Sequence, residues 1–396
     1  MADVKHELIL TDQQLRDFCR DLASAKQIAF DTEFVSEDTF RPQLCLVQVA
    51  VDGRLVVIDP LKVSDLVPFW TALAAGNHET VVHAGRQEIE FSLQAIGQPP
   101  RQLFDVQIAA GMIGLEYPAS YGTLVSKILG ETPQKGETRT DWRRRPLSDR
   151  QVEYALADVD HLGRLREKLG QRLDRLDRMP WFATEMADWL ADIQDAQRRE
   201  RWRKVAGSSG MPPRGLAIVR EIFAWRESEA ERRNCPIRRV LRDDLIVELA
   251  RRRSVDPKQI RAIRGMERGD LSRVIPDLSA AIGRALALPD DACPRVVRTD
   301  TNSQLTLLGQ FLSSALGSIC RAAKVAPSIV GTASDVRELV AHMLANGRGE
   351  PPLLAQGWRA QVVGQVLEDL LRGKLSIRIQ DPESDQPLAF EPARLQ

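Results

Sequence analysis

Ile28-Ala29-Phe30-Asp31-Thr32-Glu33-Phe34 is the stretch whose reading decides the fold. It reads as a buried β-strand in which two carboxylates interrupt an apolar run. Side chains alternate across a strand, so Asp31 and Glu33 project to one face while Phe30, Thr32 and Phe34 take the other. Two carboxylates one pleat apart repel each other and are costly to desolvate. A cation that neutralises them explains why a strand keeps both. The rest of the chain then has to supply further ligands, a substrate groove and helices that hold a polymer.

Two strand-like runs follow, Gln43–Val51 and Arg54–Ile58, joined by the hairpin signal Asp52-Gly53 and closed by Pro60. Helix and strand then alternate. A helix is expected over 64–75, a short strand over Thr80–His83, a helix over Arg86–Ile96 stopped by Gly97, and a short strand over Leu103–Val106. Tyr121–Leu129 and Ser148–Leu169 read as helices, the second long and N-capped by Ser148. Three strands followed by βα units predict an α/β domain, a mixed sheet with helices on it. The stretch before the first strand reads as a short apolar run and an amphipathic helix carrying Leu15, Phe18, Cys19 and Leu22.

A helix over Trp181–Val205 ends in the basic run Arg198–Lys204, and Gly207–Pro213 is a linker by composition. Residues 214–288 and 302–376 read as two small all-α helical bundles separated by a Pro- and Asp-rich break at 289–297. The predicted division is 1–206, 212–292 and 298–378, with a loose, polar, Pro-rich tail over 379–396.

At 396 residues, 43% hydrophobic and 28% charged, the chain has the composition of a globular protein of two or three domains. It shows no signal-peptide pattern and no membrane-length apolar run. Its five cysteines are widely spread without a C-x-x-C pair, which argues for free thiols in a reducing, cytoplasmic setting and against a zinc site. Nothing in the sequence calls for a membrane or an obligate protein partner. The formal net charge of zero hides an asymmetry. Residues 1–100 carry 8 Lys+Arg against 15 Asp+Glu, and residues 196–264 carry 19 against 9. An acidic half joined to an Arg-rich half suits a cation site next to a polyanion-binding surface, and Arg198–Lys204 and Arg238–Arg253 are the candidate stripes.

Further acidic positions complete a constellation. Tyr154 and Asp158 are four apart on the long helix and share a face. Glu88 opens a helix just after His83-Ala84-Gly85. Asp31, Glu33, Glu88 and Asp158 together suit two hard divalent cations, Mg²⁺ or Mn²⁺. Two such ions about 3.5–4 Å apart can activate a water and stabilise the leaving oxygen of a phosphodiester. Tyr154 is placed to hold the attacking water. His83 is expected to pack rather than ligate, and Asp105 to cap a helix.

These motifs resemble those of the 3′→5′ exonucleases named for their Asp-Glu-Asp-Asp ligands. Phe30–Phe34 is similar to the first motif and Pro42–Gln48 to the run after it. His83-Ala84-Gly85 resembles the approach to the second, and Thr138–Leu147 with Tyr154–Val159 the third. The last run resembles the ribonuclease D family, over roughly residues 1–200. Residues 212–290 look like an HRDC domain, and 300–376 are similar in class to a second one. Glu153 stands where one branch has histidine, and Tyr154 marks the tyrosine branch. The resemblance implies a ribonuclease-H-like fold, two-metal hydrolysis and trimming of RNA from its 3′ end, with tRNA precursors as substrate and nucleoside 5′-monophosphates as product. One position departs from the pattern: Glu88 stands where the family carries Asp, which moves the carboxylate outward by about 1.5 Å. A DNA-directed exonuclease, or an RNA-binding protein whose site Glu88 weakens, are the alternatives.

Overall fold

The computed structural model describes residues 6–132, 140–196, 200–267, 269–295 and 303–393. The N-terminal part runs β1 (His6–Ile9), α1 (Asp12–Leu22), β2 (Gln27–Val35), β3 (Gln43–Val51), β4 (Arg54–Ile58), α2 (Val67–Ala75), β5 (Glu79–Val82), α3 (Arg86–Ile96), β6 (Leu103–Asp105), α4 (Val106–Met112), α5 (Tyr121–Leu124), α6 (Asp149–Asp160), α7 (Leu162–Arg175) and α8 (Met179–Ala196). The six strands form one mixed sheet in the order β1-β4-β3-β2-β5-β6. β2, β3 and β4 are the expected antiparallel meander, and β5 and β6 continue in parallel beyond β2. The short apolar run at the start adds an edge strand, parallel to β4.

Each face of the sheet is covered. On one side Phe30, Val47, Val49, Val56 and Ile58 meet Leu15, Phe18 and Leu22 of α1 and Phe69, Trp70 and Leu73 of α2. Phe30 meets Phe69 and Trp70 edge-on, with ring centroids 6.0 and 6.1 Å apart. Burying side chains of this size contributes about 1.5–3 kcal/mol each. On the other side Leu46 and Val57 lie under Ala155 and Leu156 of α6. Ser148 and Gln151 form a reciprocal capping box that starts α6 where the sequence predicts.

The expected helix over Ser148–Leu169 is two helices, broken at His161. The cause is Tyr121. Its hydroxyl donates to the Ala157 carbonyl at 2.9 Å and accepts from the His161 N–H at 3.3 Å. These are the two groups that an unbroken helix would pair with each other, so the hydroxyl is inserted into the ladder. The helix expected over Trp181–Val205 is described over Met179–Ala196, and Arg201–Lys204 forms a 3₁₀ turn instead of continuing it.

Beyond the linker, α9 (Pro213–Arg232), α10 (Ile237–Val240), α11 (Asp243–Arg252), α12 (Pro257–Arg261), α13 (Gly269–Ser272) and α14 (Ile275–Ala287) enclose their own core. This bundle touches the loop after β2. Arg41 pairs with Glu231 at 2.8 Å, the Phe40 N–H donates to Asn234 at 3.3 Å, and the Phe40 ring packs on the bundle core.

The second bundle holds α15 (Ser303–Ala322), α16 (Pro327–Val330), α17 (Ala333–Leu344), α18 (Gly357–Arg359) and α19 (Gln365–Leu371). Its core is continuous with that of the N-terminal part: Phe104, Met112, Phe182 and Met186 belong to the same buried cluster as Leu312, Ile319, Val330 and Trp358. Arg178, itself buried, donates to the carbonyls of Met112 at 2.6 Å, Lys324 at 2.5 Å and Ala323. Trp181 stacks on Trp358, and Arg359 pairs with Glu185 at 2.7 Å. The expectation of a loose tail is corrected. β8 (Leu388–Pro392) pairs antiparallel with β7 (Leu375–Ile379), and the cross-strand pair Ile377 and Phe390 packs against the main core. The polar, Pro-rich turn between the strands hides the pattern in the sequence.

Candidate active site

The site is built where β2 leaves its pairing with β5. Asp31 and Glu33 project from β2 on the face covered by α6. The β2–β3 register slips between Glu33 and Phe34, a bulge that leaves Cys45 unmatched and bends the ribbon beside Glu33. Asp158, in the last turn of α6, completes a trio. One carboxylate oxygen from each of Asp31, Glu33 and Asp158 lies within 4.8 Å of the others. Tyr154, one turn earlier, has its hydroxyl beside Asp158, where it favours the ionised carboxylate. Its ring stacks on Trp142 with centroids 6.2 Å apart, and Trp142 is buried.

Trp142 sits on a segment pinned to the sheet by Arg145. This guanidinium holds Asp59 through two bonds of 2.6 and 2.7 Å, and it donates to the Trp142 and Cys45 carbonyls. Neighbouring Arg143 links Asp141 to Asp38 in the loop after β2, at 2.8 Å to each. Thr138 and Arg139, part of the third-motif resemblance, lie outside the described residues, as do Arg198 and Arg199 of the basic run.

Glu88 is brought near the trio but not into it. It lies in the first turn of α3, buried, and accepts a 2.5 Å hydrogen bond from Thr32 Oγ1. Thr32 faces away from Asp31 and Glu33, so Glu88 approaches β2 from the opposite side. The His83-Ala84-Gly85 turn delivers it there. A Cβ on Gly85 would meet Val82 at 2.5 Å, and Ala84 takes a φ of +53°. Asp105 caps α4 as expected, accepting from Gln107 and Ile108, and it also accepts the Gly85 N–H at 2.9 Å. His83 packs as expected, its Nε2 2.9 Å from the Ala119 carbonyl and its ring against Tyr121.

The electrostatics carry the signature of uncompensated charge. Burial, with repulsion from Glu88, Asp158 and Glu33, holds the Asp31 carboxyl well above its usual range. Burial and the charges of Asp158 and Glu88 push Glu33 up to about 8. Burial raises Glu88 to about 7, against the pull of the Thr32 hydrogen bond, and Asp158 to about 6, against that of Tyr154. A pocket of clustered carboxylic oxygens, all resisting ionisation, fits a hard divalent cation. Raised carboxyl groups of this kind concentrate at functional sites.

Tyr121, Trp142, Arg145 and Thr32 were not among the residues expected to shape the site. The run from Asp141 to Pro146 was a legible signal for two of them. Tyr121 offered none beyond being one of three tyrosines in the chain.

A mixed sheet carrying a carboxylate trio and a tyrosine, followed by helical bundles, defines a 3′→5′ exonuclease with appended helical domains. The comparisons agree with this class. The family model for 3′-5′ exonucleases matches residues 6–174, and that for HRDC domains matches residues 215–282. Ribonuclease D of Nitrobacter hamburgensis is 32% identical over 377 residues, covering 94% of this chain and 97% of its own. Ribonuclease D of Acidiphilium cryptum is 35% identical over 379 residues, covering 93% and 94%. The crystal structure of Escherichia coli RNase D, described as an exoribonuclease involved in structured RNA processing, superposes with a TM-score of 0.80. It is 26% identical and covers 93% of this chain and 99% of its own. The chain belongs to the ribonuclease D family of 3′→5′ exoribonucleases. No helix among the described residues is long and apolar enough to cross a membrane, and all five cysteines are free.

Proposed function

We propose that this chain trims the 3′ ends of tRNA precursors in the cytoplasm, releasing nucleoside 5′-monophosphates. The observation that supports this most is the meeting of Asp31, Glu33 and Asp158 with the Tyr154 hydroxyl beside them. Asp31, Glu33 and Asp158 would hold two divalent cations, Mg²⁺ or Mn²⁺, with Glu88 acting from the Thr32 side through a water. Bound there, the ions supply Lewis acidity at the scissile phosphate and a hydroxide-like nucleophile. Tyr154 orients the attacking water through its hydroxyl, while its stacking on Trp142 fixes the ring. The hydroxyl itself stays protonated, since burial and the nearby carboxylates raise its pKa further.

The Arg-rich first bundle holds the body of the RNA. Arg238, Arg239 and Arg251–Arg253 are exposed, and contacts from such residues to phosphate are sequence-independent and salt-sensitive. The bundle's contact with the loop after β2 joins it to the strand that carries Asp31 and Glu33.

The experiment is to incubate the purified protein with a 3′-extended tRNA, with and without Mg²⁺ or Mn²⁺. Stepwise shortening that needs the cation is the expected result. Asp31→Ala abolishes shortening and leaves RNA binding within about twofold, since it removes a ligand oxygen and no phosphate-binding cation. Turnover retained in that variant refutes the assignment.

A further inference from the structure

Gln48 has no place in the reading above, although it ends the Pro42–Gln48 run. It lies at the middle of β3, directly opposite Asp31 on β2 and Val57 on β4. Residues opposed in an antiparallel pair project to the same face, with Cβ atoms about 4.5–5.5 Å apart. Gln48 therefore sits beside Asp31 on the face that α6 covers, in the layer that holds Leu46, Val57, Ala155 and Leu156. It is fully buried, at 0% exposure. Neither its Nε2 nor its Oε1 has a hydrogen-bond partner among the described residues.

A primary amide buried with both polar atoms unpaired carries the full cost of their desolvation. An apolar side chain of similar volume would fill the same layer without that cost. The acceptor chemistry closest to it in register is the Asp31 carboxylate, whose outer side opens to the trio. We infer that Gln48 is a positioning residue for Asp31: in the cation-loaded site its amide N–H holds the inner carboxylate oxygen and fixes the direction of the outer one. Groups that hydrogen-bond to metal-ligating side chains typically govern 10–100-fold in metal affinity. The inference rests on the cation-site reading of Asp31, Glu33 and Asp158.

The test compares wild type with Gln48→Met in the full chain, using two readouts. Calorimetric titration with Mn²⁺ measures affinity, and the melting temperature in chelator measures the empty fold. Gln48→Met is expected to weaken Mn²⁺ binding by about 10-fold while leaving the melting temperature in chelator unchanged or higher. Affinity within twofold of wild type overturns the inference. So does a melting temperature that falls in chelator, because it shows the amide already paired in the empty fold. Should Gln48→Met not fold, Gln48→Asn carries the test. Its amide is withdrawn by one methylene, and unchanged affinity there overturns the inference as well. A wild-type protein that binds no Mn²⁺ instead refutes the cation-site reading, which keeps the two failures apart.

Discussion

In chelator, raising the pH from 5 to 8 should destabilise the exonuclease part of this protein, and Glu33→Gln should remove much of the effect. The sign follows from the direction of the shifts. Glu33 is raised from 4.5 to about 8 and Asp158 from 3.8 to about 6. A carboxyl raised in the folded state binds its proton more tightly there than in the unfolded chain. Its contribution is fully present below the unfolded pKa and is lost as pH rises through the folded one. One pKa unit is worth about 1.4 kcal/mol, so Glu33 alone accounts for about 3 kcal/mol across this window. For a domain of this size that is a fall of roughly 6–12 °C in melting temperature. The assay is calorimetry of wild type and Glu33→Gln at pH 5, 6.5 and 8, in chelator and separately with Mn²⁺. The difference between the two proteins isolates Glu33 from the other titrating groups. Without cation the wild type loses ground to Glu33→Gln as pH rises. With Mn²⁺ it recovers, more at pH 8 than at pH 5, because the ligands must shed protons to bind. A wild-type-minus-variant difference that is flat with pH would refute the claim that Glu33 is buried beside other carboxylates.

Three further outcomes are expected. Glu88→Asp keeps activity within about 10-fold of wild type or raises it, as measured by release of mononucleotides; placement errors near 1 Å cost about 100-fold, so a loss of that size would show that the Glu88 side chain is needed at its full length. Tyr154→Phe lowers the single-turnover rate at saturating Mn²⁺ by about 10²–10⁴-fold, the range for a group that handles the nucleophile's proton or its water. Tyr121→Phe removes the hydroxyl between Ala157 and His161. Thermal unfolding should register about 1–2 kcal/mol for the lost bonds, and turnover should fall as Asp158 shifts with the end of its helix.

The catalytic strand was legible because period-two alternation is a local property: Asp31 and Glu33 share a face in any regular strand. Local signals also gave the Ser148 cap, the Asp105 cap, and β3, β4 and α3 at their observed limits. Interactions distant in sequence were not legible. Nothing within 148–169 announces a hydroxyl arriving from Tyr121. The partner of Glu88 is Thr32, 56 residues away and on the face of β2 opposite its acids. Alternation gives that face correctly but says nothing of what approaches it. The β7–β8 hairpin was missed because a two-stranded ribbon with a polar turn has almost no hydrophobic pattern of its own. It holds together through Ile377 and Phe390 resting on residues far away.

The seam around Arg178 has a consequence for biosynthesis. Met112, Phe182 and Met186 find part of their cover in helices that begin at Ser303. A ribosome that has finished the nuclease half has therefore released a folding unit with one raw greasy flank, and Arg178 still lacks two of its three acceptors. A frameshift or premature stop before Ala323 would leave that flank short of its cover and Arg178 with the Met112 carbonyl alone. The first half of this exoribonuclease is thus sealed only once helices from the far end of the chain have been translated.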